Sequence, residues 1–461
     1  MSNSPAEEEQ GFACHPSAPP HESFDVSTTV DPSYVISLIR KLVPKTGTPA
    51  SEREAEAENY GDQTKCVSAL ERTWEECGCV LWDLAATGDH AQFMVQNLIL
   101  DVLLANLVVP QSSRITEISL GIIGNLACHE ISCKQIALTN GLVQVIVEQL
   151  LLDDVPCLCE ACRVLTLCLQ GSEGAIWAEV LLAEQTLSRI FWIAENALNS
   201  QLLEKIVGLL LAVLESQQKV AAILIPSMLG LGLSSLLIKL LAFEMTKLKE
   251  ERVPDRYAVL DLILRAIEAL STMDEYSQEI CLNKELLQLI RDLIELPDKF
   301  EVASSCVTAA VLIANILTDA ADLVSELAQD LNFLQSLFGV FPFASDDTEA
   351  QNAIWSTIAR LLLFFEESEM SPSILRSLVS ILASKFDLIE DELLFRPLDG
   401  GEKKSVETSS TKINARRIAM KRISNILTRW KSADDSVKIT PRMEDCYVSE
   451  EEVDKLLNLL Q

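Results

Sequence analysis

The chain has 461 residues, 49% of them hydrophobic and only 5% aromatic, and it carries a formal net charge of −31. So acidic a balance repels nucleic acid and anionic membrane surfaces and attracts basic partners, while keeping a leucine-rich chain in solution. The cysteines number 13, an odd count, and most lie in apolar runs, as at Cys128, Cys162, Cys168 and Cys306. That distribution speaks against a disulfide framework and for a reducing compartment, nucleus or cytoplasm. The polar, acidic stretch Met1 to Phe12 does not read as a signal peptide.

Residues 1–61 are expected to form an acidic head. The first 26 or so are rich in Pro, Ser, Glu and Gly and have little to bury, so disorder is expected there. A short docking helix follows at about 31–44, with Val35, Leu38, Ile39 and Leu42 on one face. A polar linker carrying Glu52, Glu54, Glu56 and Glu58 leads to a repeat array over residues 62–461.

No alternating β pattern is sustained, and the apolar runs are helical. Glu117 to Cys128 is the most telling of them. Leu120, Ile122, Ile123 and Leu126 make a broad apolar face, while Gly121, Gly124 and Ala127 leave room for close approach by another helix. Aligning comparable helix ends gives anchors at Leu84, Leu126, Leu169, Leu214, Leu270, Ile316, Leu361 and Ile426. They follow one another at 42, 43, 45, 56, 46, 45 and 65 residues, near the 40–47 period of armadillo and HEAT repeats. The two long intervals hold a charged insertion at 244–256 and a Gly- and Ser-rich loop, expected to be flexible, at 397–412. Val220 to Ile238 has no charged residue and imitates a membrane span. Pro226, Gly230 and Gly232 interrupt it, and Gly232-Leu233 mirrors Gly141-Leu142, so two buried helices joined by a turn are expected. At the end, Ser449 and Glu452 have capping-box spacing, and Leu456, Leu457 and Leu460 would close the array.

From Glu76 to Leu169 the chain resembles the serum amyloid A-like 1 family of armadillo-type proteins. The resembling residues are Val80 to Leu84, Glu117-Ile118 through Gly121 to Cys128, and Leu165 to Leu169. A weaker likeness reaches Ser27 to Val30 and Tyr34, so about a third of the chain is covered. The resemblance implies an α-solenoid acting as a non-enzymatic nuclear or cytosolic adaptor, linked in animals to cell proliferation.

Chemistry-bearing motifs are sparse. Of the four histidines, His15 and His21 lie in the head, and His90 and His129 follow helix ends, where a solvated imidazole is expected. No phosphate loop, paired-histidine zinc motif or nucleophile elbow occurs, and no cofactor is expected. Cys157, Cys159 and Cys162 could offer three thiolates, but no further ligands complete a zinc set, so they read as core residues. Trp82 and Trp355 likewise read as core. The basic residues from Lys403 to Lys431 read as a solvated helix face, with a nuclear-localisation patch as the alternative.

The recurring polar signal is Asn125, Asn315 and Asn425, each directly before Leu126, Ile316 or Ile426. In armadillo folds such an Asn lies on the concave surface and bonds the backbone of an extended peptide. The alternative is a bracket to a neighbouring turn, since an unpaired buried amide costs about 1–3 kcal/mol. The Trp-Asn pairing of nuclear-import armadillo proteins is absent: Gly121 and Val311 stand four residues before Asn125 and Asn315. Glu117, Glu160 and Glu204 recur at the starts of successive inner helices. They would favour the helix N-termini, or line a groove that draws in a basic segment.

The expectation is an all-α, armadillo/HEAT-type, right-handed α-solenoid of about eight helical repeats. It would be a scaffold that binds a protein partner, a basic or extended segment, through a concave groove lined by Asn125, Asn315, Asn425, Glu117, Glu160 and Glu204. Nucleic acid, membrane and small-molecule substrates are not expected as partners. A structural subunit of a larger complex and a thiol-rich metal-binding protein are the rival readings.

Overall fold

The structure is a computed structural model; it describes residues 30–44, 63–109, 112–273, 276–320, 322–367, 370–395, 410–433 and 449–460. The expectations for residues 1–26, the linker and most of the 397–412 loop fall outside the described residues. Every regular element among the described residues is helical.

Helix α1, Pro32–Leu42, opens on an N-cap Asp31 that accepts from the backbone of Ser33, with Pro32 in the first turn. Its buried face, Val35, Leu38, Ile39 and Leu42, is the one its spacing marks out. The helix packs on α2, Gln63–Leu84, and on the helix Ile99–Val108. Its C-terminal end is held by two donors to the Leu42 carbonyl: Trp74 Nε1 at 3.2 Å and Asn106 Nδ2 at 2.9 Å. These satisfy a carbonyl that the helix itself leaves without a partner.

Beyond α2 come α3 (Ser113–Ala127), α4 (Val155–Gln170), α5 (Ser200–Leu214), α6 (Tyr257–Ser271), α7 (Ala303–Asp319), α8 (Thr348–Glu367) and α9 (Ser410–Lys431). From α2 to α9 each packs against the next, and further helices fill the intervals. The result is an all-α solenoid with a ladder of eight helices among the described residues. Every anchor, from Leu84 to Ile426, lies on one of them. α3 shows why such helices are central: Ile118, Leu120, Ile122, Ile123 and Leu126 are fully buried, and an all-round apolar helix must be enclosed. Leu126→Ala is therefore expected to lower the unfolding free energy by ~2–5 kcal/mol, read from a urea melt. An unchanged midpoint would contradict the placement of this helix.

Gly121 and Gly124 accept side chains, and this refines the idea of close helix approach. A Cβ on Gly121 would lie 2.2 Å from the Trp82 ring of α2, and one on Gly124 would lie 2.4 Å from the Arg163 guanidinium of α4. The missing side chains make room for one large neighbour on each flank.

Gly141 and Gly232 are the equivalents their sequence context suggests. Both hold left-handed φ, +79° and +93°, just before helices Leu142–Glu148 and Leu233–Glu250. Leu98 makes the same turn before Ile99–Val108 with φ +66°, a conformation that strains a side-chain-bearing residue by about 1–3 kcal/mol. Val220 to Ile238 is thus two helices, Gln218–Gly230 and Leu233–Glu250. By length and composition Phe300–Asp319 could cross a bilayer. Here its ladder part, α7, is flanked by α6 and α8, with Cys306, Ala309, Leu312, Ile313 and Ile316 buried.

The charged insertion is partly internal. Leu233–Glu250 runs through its first half, and Glu244 is 2% exposed. Arg256 reaches the Glu244 carboxylate with two nitrogens, Nε at 2.8 Å and Nη2 in a short contact. Arg252 and Lys249 tie the same segment to Asp298 and Asp292.

The chain closes with α10, Glu450–Leu459. Ser449 and Glu452 form the capping box in both directions, and Val453, Leu456 and Leu457 are buried against the array. The basic face of α9 departs from the solvated reading at two residues. Arg416 donates to the Glu392 carbonyl at 3.0 Å, and Arg422 to that of Ala359, with Glu366 at 3.7 Å. Their side chains are only 12% and 19% exposed, because they bridge α9 to its neighbours.

The ladder surface as candidate functional site

Asn125 sits where three ladder helices meet. Its Nδ2 donates to the Trp82 carbonyl of α2 at 2.8 Å, and its Oδ1 accepts from Arg163 of α4 at 3.0 Å. Arg163 also donates to the Gly121 carbonyl at 3.0 Å and to Glu160 at 2.8 Å. The asparagine is half-buried and keeps one amide hydrogen without a described protein acceptor. Asn315 donates to the Ser271 hydroxyl at 3.0 Å, and the exposed Asn425 donates to Glu366 at 2.8 Å. Each asparagine therefore reaches back to the preceding ladder helix.

Glu117, Glu160 and Glu204 stand on consecutive helices, α3 to α5. The Cys159 thiol feels all three carboxylates and the Lys205 ammonium; burial is the main cause that lifts it to about 11. The row is contiguous, and each member carries its own cation. Arg114 pairs with Glu117 at 2.7 Å, Arg163 with Glu160 at 2.6 Å, and Lys205 with Glu204 at 2.8 Å. Adjacent basic residues three positions or one position away are legible in the sequence, yet their pairing depends on which rotamers the neighbouring helices leave open.

Further along, the balance tips to negative. Glu268 of α6 is half-buried, and burial raises its pKa; Glu215, Asp347 and Glu349 raise it further, while Arg265 opposes them. Arg265 is itself paired with Glu215 at 2.8 Å. Sequence reasoning passed over this group because its members come from helices far apart in the chain.

The thiols behave as core. Cys157, Cys159 and Cys162 are all buried, and burial pushes the Cys157 and Cys162 thiols far above the ordinary range. Thiols so hard to ionise make poor metal ligands and poor nucleophiles. Among the described residues no cluster of metal-ligating side chains forms. Cys128 differs from the others and is exposed at the end of α3. His90 and His129 are half-buried and each has a hydrogen-bond partner. His129 Nε2 lies 3.1 Å from the Ala85 carbonyl, and His90 Nδ1 lies 2.6 Å from the Thr87 hydroxyl. Trp355 is core; Trp82 is half-buried over Gly121.

No family model matches the chain. Curated proteins do match it over about a third of its length. Protein saal1 of Danio rerio is 33% identical over 138 residues, covering 30% of this chain and 29% of the relative. The chain is similar to SAAL1 proteins, serum amyloid A-like 1. Protein SAAL1 of Homo sapiens is 30% identical over 147 residues, covering 32% and 31%, and that of Mus musculus 28% over 171 residues, covering 37% and 34%. The matches thus span about a third of the SAAL1 relatives' own length. Among solved structures, an engineered protein aligns over 92% of this chain and 98% of its own at 14% identity, TM-score 0.47. A designed armadillo repeat protein in complex with the peptide (KR)4 aligns over 60% and 97% at 14% identity, TM-score 0.43.

Proposed function

We propose that this chain is a non-enzymatic scaffold that binds a partner protein along the ladder, in the form of a basic, extended segment. The observation that carries this reading is the strip of half-exposed polar side chains crossing successive ladder helices. At one end Asn125 offers an amide hydrogen and shares Arg163 with Glu160, while Glu117 and Glu204 stand paired on α3 and α5. Further on, the half-buried Glu268 lies close enough to Glu215 and Asp347 for both to raise its pKa, with Arg265 opposing them. Asn315 and Asn425 would supply further amides along the ladder. Lysines or arginines of the segment would meet the carboxylates and speed the encounter, and the asparagines would hold its backbone and set residence time.

The test is fluorescence anisotropy with a labelled lysine-rich peptide, acetylated and amidated so that its ends carry no charge. Saturable binding is expected, weakening as salt rises and at least threefold weaker for Asn125→Ala and Glu268→Gln per folded molecule. Asn125→Ala also removes the bonds to Trp82 and Arg163, each worth about 0.5–1.5 kcal/mol, so the folded fraction must be measured alongside. Equal binding of an acidic peptide, or variants that bind as wild type does, would refute the proposal. Acid gives a second readout. Glu268 holds its proton more tightly folded than unfolded, so it favours folding at low pH and opposes it as pH rises through its folded pKa. Glu268→Gln should thus melt higher than wild type at pH 8, with the advantage vanishing near pH 4.

A further inference from the structure

Between the C-terminal ends of α7 and α8 lies a cleft of about 530 Å³, closed on its third side by the short helix Leu323–Ala328. That volume suits one or two amino-acid residues. Its wall is apolar along Leu317, Val324, Leu363 and Phe364, with Thr318 and Arg360 as polar points. Arg360 is the anomaly. It is half-buried, and burial pulls its pKa below the ordinary arginine value. Among the described residues its hydrogen bond runs from Nη2 to the Thr318 hydroxyl at 3.1 Å. Thr318 in turn gives its own hydrogen to the Ala314 carbonyl, so it is oriented to accept from the arginine. Nη1 is shut away from water with no partner, and among the described residues no carboxylate pairs with this guanidinium. Arg163, Arg256, Arg265, Arg291 and Arg422 are each paired with a carboxylate.

A half-buried guanidinium with one nitrogen shut from water gains from a partner, and a bidentate carboxylate is the group its planar fork fits best. The apolar wall asks for a hydrocarbon body on the same ligand. Asp322 and Glu367 stand exposed at the rim. They would repel a polyanion such as a phosphate and would accept a cationic residue just upstream. We infer that this cleft takes the C-terminal residue of a partner chain, with Arg360 holding its α-carboxylate and Leu317, Val324, Leu363 and Phe364 enclosing an apolar last side chain. On entry of the ligand the guanidinium turns toward the cleft, and Nη1 gains the acceptor it lacks. The inference rests on the scaffold reading only in that the ligand is a protein segment; the capped lysine-rich peptide described above has no free carboxylate, so the two can fail separately.

The experiment is saturation-transfer NMR on the full chain with N-acetyl-leucine and N-acetyl-leucinamide as probes. N-acetyl-leucine, carrying the free carboxylate, should bind at least tenfold more tightly than the amide. Arg360→Gln should remove that preference, and Lys239→Gln, which removes an exposed cation, should leave it intact. A lysine-rich peptide ending in a free leucine should compete with N-acetyl-leucine, and its amidated form should not. Acid and amide binding alike, no binding of either, or a preference that survives Arg360→Gln would each overturn the assignment. The comparison of acid with amide on the wild-type chain decides the matter even where a variant fails to fold. Competition by free octanoate as strong as that by the free-acid peptide would also overturn it, since the site would then belong to small carboxylic acids.

Discussion

Arg256→Ala is expected to lower the unfolding free energy by ~3–5 kcal/mol. Glu244 is 2% exposed, and both its carboxylate oxygens are met by Arg256. Removing the arginine leaves a buried anion with no counter-charge, whereas most ion pairs of this protein are open to water and contribute little. Arg256 also lies 5.3 Å from the centre of the Phe243 ring, so its loss strips packing as well. Chemical denaturation of the variant measures the cost. The double variant Glu244→Leu, Arg256→Met should recover most of it, because an apolar pair of similar volume avoids the desolvation of both charges. A single variant as stable as wild type would mean that water reaches Glu244.

Trp355→Ala is the second, with an expected cost of ~3–5 kcal/mol. The side chain is 1% exposed. Its ring centre lies 4.7 Å from that of Phe341 and 6.3 Å from that of Phe338, the latter edge-on at 79°. Such aromatic pairs add about 0.5–1.5 kcal/mol beyond the area they bury. The indole nitrogen points to Glu392 at 3.4 Å, the residue that also receives Arg416 from α9. The substitution therefore opens a cavity in α8 and loosens the joint to α9. Trp355→Phe should cost clearly less. A loss below about 1 kcal/mol for the alanine variant would show that the cluster collapses to fill the space.

The sequence by itself determined the helices, their order and their repeat. The anchors Leu126, Leu169 and Leu214 come from apolar periodicity within single helices, and periodicity is a local property that needs no knowledge of neighbours. Asp31, Asp154, Asn199 and Ser449 cap their helices for the same reason, since a cap and its donor lie within three residues. Gly141 and Gly232 were legible because left-handed φ favours glycine; Leu98 makes the same turn without that signal. The tertiary structure alone decided how the polar side chains are used. Arg163 meets Asn125 and Gly121 across 38 and 42 positions of sequence, and Asn125 meets Trp82 across 43. It decided that the carboxylate row is a row of ion pairs, that Glu244 is inside, and that Arg360 pairs with no carboxylate among the described residues. A long polar side chain can reach several partners from one backbone position, and which it reaches depends on the stacking of helices about forty residues apart, a separation over which no local pattern carries information.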